Sequence, residues 1–264
     1  MDFSVPKIMG ILNVTPDSFY DGNRYADITA AMKHVEKMID EGADIIDVGG
    51  YSSRPGAADI SPVEEVRRVV PVIRAIAKEF PNTPVSIDTF RSDVAAKALD
   101  AGAAIINDIT GGDSDKELRK VATSQHAPYI IMHMRGTPKD MSTLAQYDDV
   151  VKEVLSALQK KVGDLGHDGV VDMAIDPGFG FAKNVDHNFE MLRNLEAFVM
   201  IGKPLLVGIS RKSMIWRTLD IKPEEALNGT TALNMVALMK GADILRVHDV
   251  KEAAECIKLY GRIG

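Results

Sequence analysis

The sequence of 264 residues contains a single cysteine, Cys256, and no apolar run long enough to cross a membrane. A disulfide within the chain is therefore excluded, and a membrane-spanning helix, which needs about 18 apolar residues in a row, is not expected. Cys256 lies in a helical pattern, where we expect an inert, packed thiol. The N-terminus does not have the pattern of a secretion signal, so we expect a cytoplasmic protein.

Basic residues are not in excess either. The formal net charge is −7 and no stretch is dominated by lysine and arginine, so a nucleic-acid-binding surface is not expected. The sequence has no cysteine and histidine cluster with zinc-site spacing, no Gly-Lys-Ser/Thr phosphate loop and no dinucleotide-binding glycine motif. Linkers and low-complexity segments are also missing from the sequence.

Hydrophobic residues make up 45% of the chain, which is enough for a large core without disulfides or metals. Strand-like and helix-like patterns alternate throughout. The predicted strands are Lys7–Val14, Asp44–Gly50, Pro84–Thr89, Ala104–Ile109, Tyr129–Met134, Val171–Asp176, Leu205–Ser210 and Ile244–Val247. The predicted helices are Ile28–Ala43, Pro62–Phe80, Ser92–Ala101, Lys116–Gln125, Val150–Leu165, Phe189–Val199, Pro223–Met239 and Lys251–Tyr260.

These strands are mostly continuous apolar runs, which are typical of parallel strands that are covered on both faces. Eight such units within about 250 residues predict an α/β fold, a (β/α)8 TIM barrel that occupies residues 1–264 as a single domain. Three long segments, 15–27, 51–60 and 135–147, follow the first, second and fifth strands. Loops of this length at the carboxyl ends of strands are expected to overhang the mouth of the barrel.

Polar residues stand at or just after the ends of several predicted strands. Asp88 and Asp176 each end an apolar run, and Asn107 stands in another. A structural ion pair or a helix cap would explain either carboxylate alone. Together with Asn107 they favour a ligand with many N–H donors, such as a heterocycle with a guanidine-like edge, because a carboxylate accepts two parallel N–H bonds.

The last two strands are followed or ended by cationic residues. Lys212 follows the seventh strand, where many barrels bind phosphate, and it could also form a Schiff base. A solvated charge at a helix start is the alternative, but the helix dipole opposes it. Arg246 and His248 are two residues apart and point the same way, which indicates an anion such as a phosphate or diphosphate. A buried structural His248 is the alternative.

Two further residues carry weaker signals. The amide oxygen of Asn13 is a ligand type that suits Mg²⁺, although a turn-forming role is equally consistent with its position. His133 is expected to be a wall residue or a structural histidine.

Eight segments, in this order along almost the whole chain, resemble the dihydropteroate synthase family. They are Gly10–Phe19, Asp47–Gly56, Ser86–Thr89, Asn107–Gly112, Met132–Met134, Asp176–Phe181, Ser210–Ser213 and Arg246–His248. The resemblance implies a transferase of folate biosynthesis that condenses (7,8-dihydropterin-6-yl)methyl diphosphate with 4-aminobenzoate to give 7,8-dihydropteroate and diphosphate.

The resemblance also implies a set of site residues. The pterin pocket falls on Asp88, Asn107, Asp176 and Lys212. The diphosphate site falls on Asn13, Arg246 and His248, with the cofactor Mg²⁺ on Asn13. Ser53 corresponds to a hydroxyl residue near the substrate.

A dissociative mechanism is implied, in which diphosphate leaves before the aniline nitrogen attacks, with Lys212 and Arg246 among the catalytic residues. Asp21 and Arg54 are expected to meet near the reacting groups when the first two loops close. The aminobenzoate pocket, where sulfonamides compete in the family, is expected to consist of four residues: Phe19, Pro55, Phe181 and Ser213.

One segment departs from the family pattern. Many relatives have Glu-Ser-Thr in the second loop, where this chain has Tyr51-Ser52-Ser53. The alternatives are a pterin-binding methyltransferase domain, a non-catalytic pterin-binding homologue and a Schiff-base aldolase that uses Lys212. The methyltransferase lacks the Thr-Pro-Asp-Ser-Phe and Ser-Arg-Lys-Ser segments that this chain has. The resemblance also implies a homodimer, formed through the late helices.

Overall fold

Eight parallel strands form the frame of the molecule in a computed structural model, which describes residues 2–14, 24–52, 59–137 and 140–263, without the side chains of 24–27 and 142. The strands are β1 (Lys7–Asn13), β2 (Ile45–Gly49), β3 (Val85–Asp88), β4 (Ile105–Asp108), β5 (Tyr129–Met132), β6 (Met173–Asp176), β7 (Leu206–Val207) and β8 (Ile244–Val247).

The strands are ordered β6-β5-β4-β3-β2-β1-β8-β7, and every pair is parallel. A parallel bridge between Ile175 of β6 and Leu205, just before β7, joins the two ends of this sheet. The sheet therefore closes on itself, and the predicted TIM barrel is confirmed.

Helices alternate with the strands around the outside of the barrel. They are α1 (Arg24–Asp40), α2 (Pro62–Glu79), α3 (Ser92–Asp100), α4 (Lys116–Ser124), α5 (Val150–His167), α6 (Val185–Arg193), α7 (Glu196–Val199), α8 (Ser213–Leu219), α9 (Leu227–Met239) and α10 (Val250–Tyr260). Two short 3₁₀ helices are added at Met141–Leu144 and Pro223–Glu225.

The helix starts follow ordinary capping chemistry. Ser61 accepts a hydrogen bond from the Glu64 backbone N–H at 3.2 Å, and proline occupies the first position of α2, as predicted. The segment predicted as one helix at Phe189–Val199 is instead α6 and α7. Helix α6 begins earlier than predicted because Asn184 caps it in a box whose third residue is His187 rather than the usual Glu or Gln.

The inside of the barrel is divided into two layers. The lower layer consists of apolar side chains that pack together as one buried cluster: Met9, Ile45, Ile105, Ile130, Ala174, Leu206 and Ile244. Side chains in a strand alternate between faces, so the residues two positions further along also point inward. At five of these seven positions the composition changes, and we call that set the upper layer: Asp47, Asn107, Asp176, Gly208 and Arg246, with Asp88 beside Asn107 in register. Apolar residues, Ile11 and Met132, occupy the other two positions.

A second apolar core fills the space between the strands and the surrounding helices, with Tyr129, Phe179 and Phe198 among its largest fully buried side chains. None of the helices in the described part of the chain combines the length and the apolar character that crossing a membrane requires.

Candidate active site

Arg246 lies at the centre of the upper layer, between two carboxylates. Its Nε donates to Asp47 Oδ2 at 2.7 Å, and one Nη2 hydrogen is donated to Asp88 Oδ2, also at 2.7 Å. The Asp47 side chain is fully buried, whereas those of Asp88 and Arg246 keep about a fifth of their surface exposed. The guanidinium therefore reaches the mouth of the barrel, while Asp47 fixes its position on the buried side.

Asn107 is held by the same carboxylate. Its Nδ2 donates to Asp47 Oδ2 at 3.0 Å. A carboxylate only accepts hydrogen bonds, so this contact decides which end of the amide faces Asp47. The acceptor Oδ1 of Asn107 is left for other partners.

Burial and the neighbouring charges shift the pKa values of Asp88 and Arg246. Burial raises the pKa of Asp88 to about 7, and the neighbouring Asp47 adds to the rise while Arg246 opposes it. Burial alone would lower the pKa of Arg246, but Asp47 and Asp88 outweigh it and raise the pKa. Asp176 is the last residue of β6 and Arg246 the third of the four residues of β8, so both lie at the carboxyl end of the barrel.

Asp176 and Lys212 are two opposite charges of the mouth that influence each other's pKa. Burial raises the pKa of Asp176, while Lys212 and a hydrogen bond from the Gly178 backbone N–H (2.7 Å) oppose the rise. Burial lowers the pKa of Lys212 to about 8 against the pull of Asp176. A methyl group at Gly208 would lie 3.9 Å from Lys212 Nζ and 3.8 Å from Arg246 Cβ, so this glycine leaves room between the two cations.

Lys212 also contacts the loop that follows β6. Its ammonium group donates to the Phe179 carbonyl and lies 4.9 Å from the centre of the Phe181 ring. The half-buried Phe181 is thereby brought next to Lys212, and Ser213, the first residue of α8, follows Lys212 in the sequence.

A second lysine, Lys183, holds the same loop from below. Its Nζ donates to the carbonyls of Gly178 (3.0 Å) and Phe181 (2.9 Å) and lies 3.0 Å from His133 Nδ1. Burial lowers the pKa of Lys183 to about 7 and, with the nearby lysines, that of His133 to about 2. His133 is therefore a neutral acceptor within the barrel wall, in agreement with its predicted structural role.

The ends of β7 and β8 are joined by the two side chains that precede Lys212. Ser210 Oγ lies 3.0 Å from His248 Nδ1 and accepts from the His248 backbone N–H at 3.2 Å. Arg211 has a positive φ of 55° and donates through Nε and Nη2 to both oxygens of Asp249, at 2.9 and 2.6 Å. These contacts orient His248 and fix the turn that presents Lys212.

Asn13, the last residue of β1, is half-buried and faces the space above Gly49. A methyl group at Gly49 would lie 3.5 Å from Asn13 Oδ1 and 3.7 Å from Asp88 Oδ2. The described residues contain no group of three or more His, Cys, Asp or Glu side chains that could hold a metal. Mg²⁺ often takes only one or two protein oxygens and completes its shell with phosphate and water, so Asn13 fits such an ion.

Five predicted site residues, namely Phe19, Asp21, Ser53, Arg54 and Pro55, lie outside the described residues. Their roles stay predictions.

Comparison with known proteins shows the family to which this sequence belongs. Residues 9–248 match the family of pterin binding enzymes. The chain is 45% identical to the dihydropteroate synthase of Escherichia coli K12, over 98% of the chain and 92% of that protein. It is 46% identical to the enzyme of Clostridium beijerinckii, over 96% of the chain and 92% of that protein. The chain belongs to the dihydropteroate synthase family.

Solved structures of this family have the same fold. The Yersinia pestis dihydropteroate synthase in a sulfonamide drug complex is 40% identical, with a TM-score of 0.94 over 100% of this chain and 96% of that chain. The Xanthomonas albilineans enzyme with 4-aminobenzoic acid is 36% identical, with a TM-score of 0.93 over 100% and 94%. Because the chain belongs to the dihydropteroate synthase family, the methyltransferase and aldolase alternatives are not supported.

Two residues of the mouth were not predicted from the sequence. Asp47 lies two positions after the apolar Ile45, so the alternation within β2 could have placed it in the upper layer. Lys183 follows a glycine-rich loop and has no periodic pattern around it. Its burial depends on carbonyl groups, whose directions are not visible in a sequence.

Proposed function

We propose that the upper layer binds a dihydropterin diphosphate and joins its methylene carbon to the amino group of 4-aminobenzoate, releasing diphosphate. The observation that carries the proposal is the charge pattern of the mouth. Buried carboxylates and an amide oxygen lie beside two cations, on strands that converge at one end of the barrel.

The acidic part of the layer suits the pterin ring. The edge of a pterin is a cyclic guanidine, and a carboxylate binds such an edge with two parallel N–H bonds. Asp176 is buried, Lys212 opposes the rise that burial causes in its pKa, and the carboxylate already accepts one backbone N–H, so it is oriented to receive that edge. Asn107 Oδ1 and Asp88 supply further acceptors, and Lys212 donates to a ring oxygen or nitrogen.

The basic part suits the leaving group. Arg246 has five N–H donors, of which two are used by Asp47 and Asp88. The others, together with His248, can receive the oxygens of a diphosphate. Asn13 would hold Mg²⁺ through its amide oxygen. When bound there, Mg²⁺ supplies positive charge that stabilises negative charge on the leaving diphosphate.

The same charges favour a dissociative reaction. As the bond to diphosphate breaks, positive charge develops on the pterin, and the carboxylates of Asp88 and Asp176 stabilise it. Arg246 and His248 stabilise the opposite charge on the departing group. The aniline nitrogen then attacks the methylene carbon and loses one proton to solvent, and no covalent intermediate on a side chain is needed.

The second substrate is proposed to bind beside Lys212. The ring of Phe181 offers an apolar face, and Ser213 offers a hydroxyl for the benzoate carboxylate. Phe19 and Pro55 complete this pocket, and Asp21 and Arg54 approach the reacting groups. Ser53 contacts the substrate in the second loop. These last assignments depend on the sequence resemblance.

The proposal is tested by incubating the protein with the pterin diphosphate and 4-aminobenzoate and measuring both products. We expect dihydropteroate and diphosphate to appear in equal amounts. Release of diphosphate without dihydropteroate, at any 4-aminobenzoate concentration, would contradict the proposal.

The metal role has its own test. Excess chelator should slow diphosphate release, and added Mg²⁺ should restore it. Full activity in the presence of chelator would exclude Mg²⁺ from the reaction. We also propose a cytoplasmic homodimer of single-domain chains; equilibrium sedimentation measures its mass.

A further inference from the structure

Asp47 is the one fully buried carboxylate of the upper layer whose two hydrogen bonds go to two different predicted functional groups. Arg246 Nε and Asn107 Nδ2 both donate to its Oδ2, at 2.7 and 3.0 Å. Its other oxygen, Oδ1, is buried and has no hydrogen-bond partner among the described residues. Leaving a buried carboxylate oxygen without a partner is unfavourable, so this arrangement is not explained by stability alone.

The direction of each hydrogen bond has a consequence for ligand binding. Asn107 must turn its Nδ2 toward Asp47 because a carboxylate cannot donate. Asn107 then presents Oδ1, an acceptor, to the ligand. If the amide were free to rotate, it could equally present a donor, and the site would lose its preference for a ring edge that carries N–H groups.

The same carboxylate fixes Arg246. The bond from Nε holds the inner edge of the guanidinium against Asp47, and the bond from Nη2 to Asp88 holds one side. The planar group therefore has a fixed orientation before any ligand arrives. A preorganised donor stabilises developing negative charge better than one that must reorient during the reaction.

We propose that Asp47 is a positioning residue that orients Asn107 for the pterin ring and Arg246 for the diphosphate, through one shared oxygen. This inference rests on the proposed function. Because Oδ2 of Asp47 accepts from both Asn107 and Arg246, changing Asp47 should weaken the ring contact and the leaving-group contact together. Changing Asn107 should affect mainly the ring, and changing Arg246 mainly the leaving group.

The test uses Asp47→Asn, which keeps the shape of the side chain but removes its charge. Two quantities are measured: affinity for a pterin without diphosphate, by calorimetry, and turnover of the diphosphate substrate. We expect each to fall by about tenfold or more, because hydrogen bonds to a charged group are the strong ones. In an Asn107→Ala background, Asp47→Asn should cause little further loss of pterin affinity, while turnover should still fall.

Asp243→Asn is the matched control, since it makes the same chemical change in a carboxylate that accepts the Leu205 backbone N–H at 2.8 Å, near the lower end of the barrel. It should leave both quantities unchanged. If Asp47→Asn also leaves both unchanged, or lowers pterin affinity equally with and without Asn107, the inference is wrong. If the unmodified protein neither binds the pterin nor turns over, the proposed function itself fails, and the inference with it.

A measurement on the unmodified protein covers the case in which Asp47→Asn does not fold. The side-chain amide hydrogens of Asn107, followed by NMR without ligand, should exchange with solvent at least about tenfold more slowly than those of the exposed Asn194. Equal exchange rates would show that Asp47 does not hold the amide, and would overturn the inference.

Discussion

The two layers inside the barrel are formed by the same strands, two residues apart, yet they have opposite character. In the lower layer, seven apolar side chains close the barrel from inside. In the upper layer, the same strands place Asp47, Asn107, Asp176 and Arg246 in the interior. The lower layer gains from removing apolar surface from water, whereas every charge in the upper layer loses hydration.

The residues that stabilise the fold and the residues that are expected to bind the substrates therefore lie in different layers along the barrel axis. Replacing a buried ion pair by apolar residues is often neutral or stabilising, so the upper layer is not what stability alone would select. Its charges are retained at the end of the barrel where loops and ligands meet in this fold. A change in the lower layer should therefore alter the free energy of unfolding, and a change in the upper layer should alter binding and turnover.

The largest effect is expected from Arg246→Ala. Turnover of the diphosphate substrate should fall by about a thousandfold, or about 4 kcal/mol, because the leaving group loses its main cation and two buried carboxylates lose their partner. Affinity for a pterin without diphosphate should change much less. Steady-state kinetics and calorimetry measure the two quantities, and equal losses in both would refute the division between ring and leaving group.

In the lower layer, Ile45→Ala should reduce the free energy of unfolding by about 3 kcal/mol, because it leaves a cavity in a closed apolar cluster. The catalytic rate of the folded fraction should remain unchanged. Urea denaturation measures the stability, with the exposed Val171→Ala as a control that should change it by less than about 0.5 kcal/mol. If Ile45→Ala also reduced the affinity for pterin, the lower layer would contribute to binding, and its separation from the upper layer would be wrong.

In the upper layer, a smaller effect is expected from Asp176→Asn. Pterin affinity should fall by about 2 kcal/mol, because the amide of the new side chain presents N–H groups to a ring edge that is itself a donor. Stability should change little, since an amide oxygen can still accept from the Gly178 N–H. Calorimetry with the plain pterin tests this expectation, and unchanged affinity would remove Asp176 from the pterin site.

The smallest effect concerns Lys183, whose pKa is lowered from 10.5 to about 7 by burial. Between these two values the unfolded chain binds more protons than the folded one, so Lys183 makes stability rise with pH in that window. The slope should be at most about 1.4 kcal/mol per pH unit, the value for one proton. Comparing the pH dependence of unfolding for the unmodified protein and Lys183→Met isolates this contribution, and identical slopes would contradict it.

Most of the fold was predictable because hydrophobic patterns report which faces are covered. All eight strands lie within their predicted ranges, since continuous apolar runs mark parallel strands. Helix α8 was not among the predicted helices; its seven residues are too few for a clear period. The start of α6 was predicted too late because His187 stands where a capping box usually has Glu or Gln.

The site was predictable where a polar residue interrupts an apolar run, as at Asp176 and Arg246. The partners of those residues were not predictable. Arg246 was expected to need an external anion, but two carboxylates of the chain already contact it. The contact between Arg246 and Asp47 joins residues 199 positions apart, and only closure of the barrel brings them together.

A crystal structure with a pterin that lacks the diphosphate tests the ring site most directly. We expect the guanidine-like edge of the ring to lie about 2.7–3.2 Å from the carboxylate of Asp176, with Asn107 Oδ1 accepting from the same ring. We also expect the outer side of Arg246 to stay clear of the ring. A pterin bound away from the upper layer, or with its edge against Arg246, would show that the acidic residues do not form the ring site.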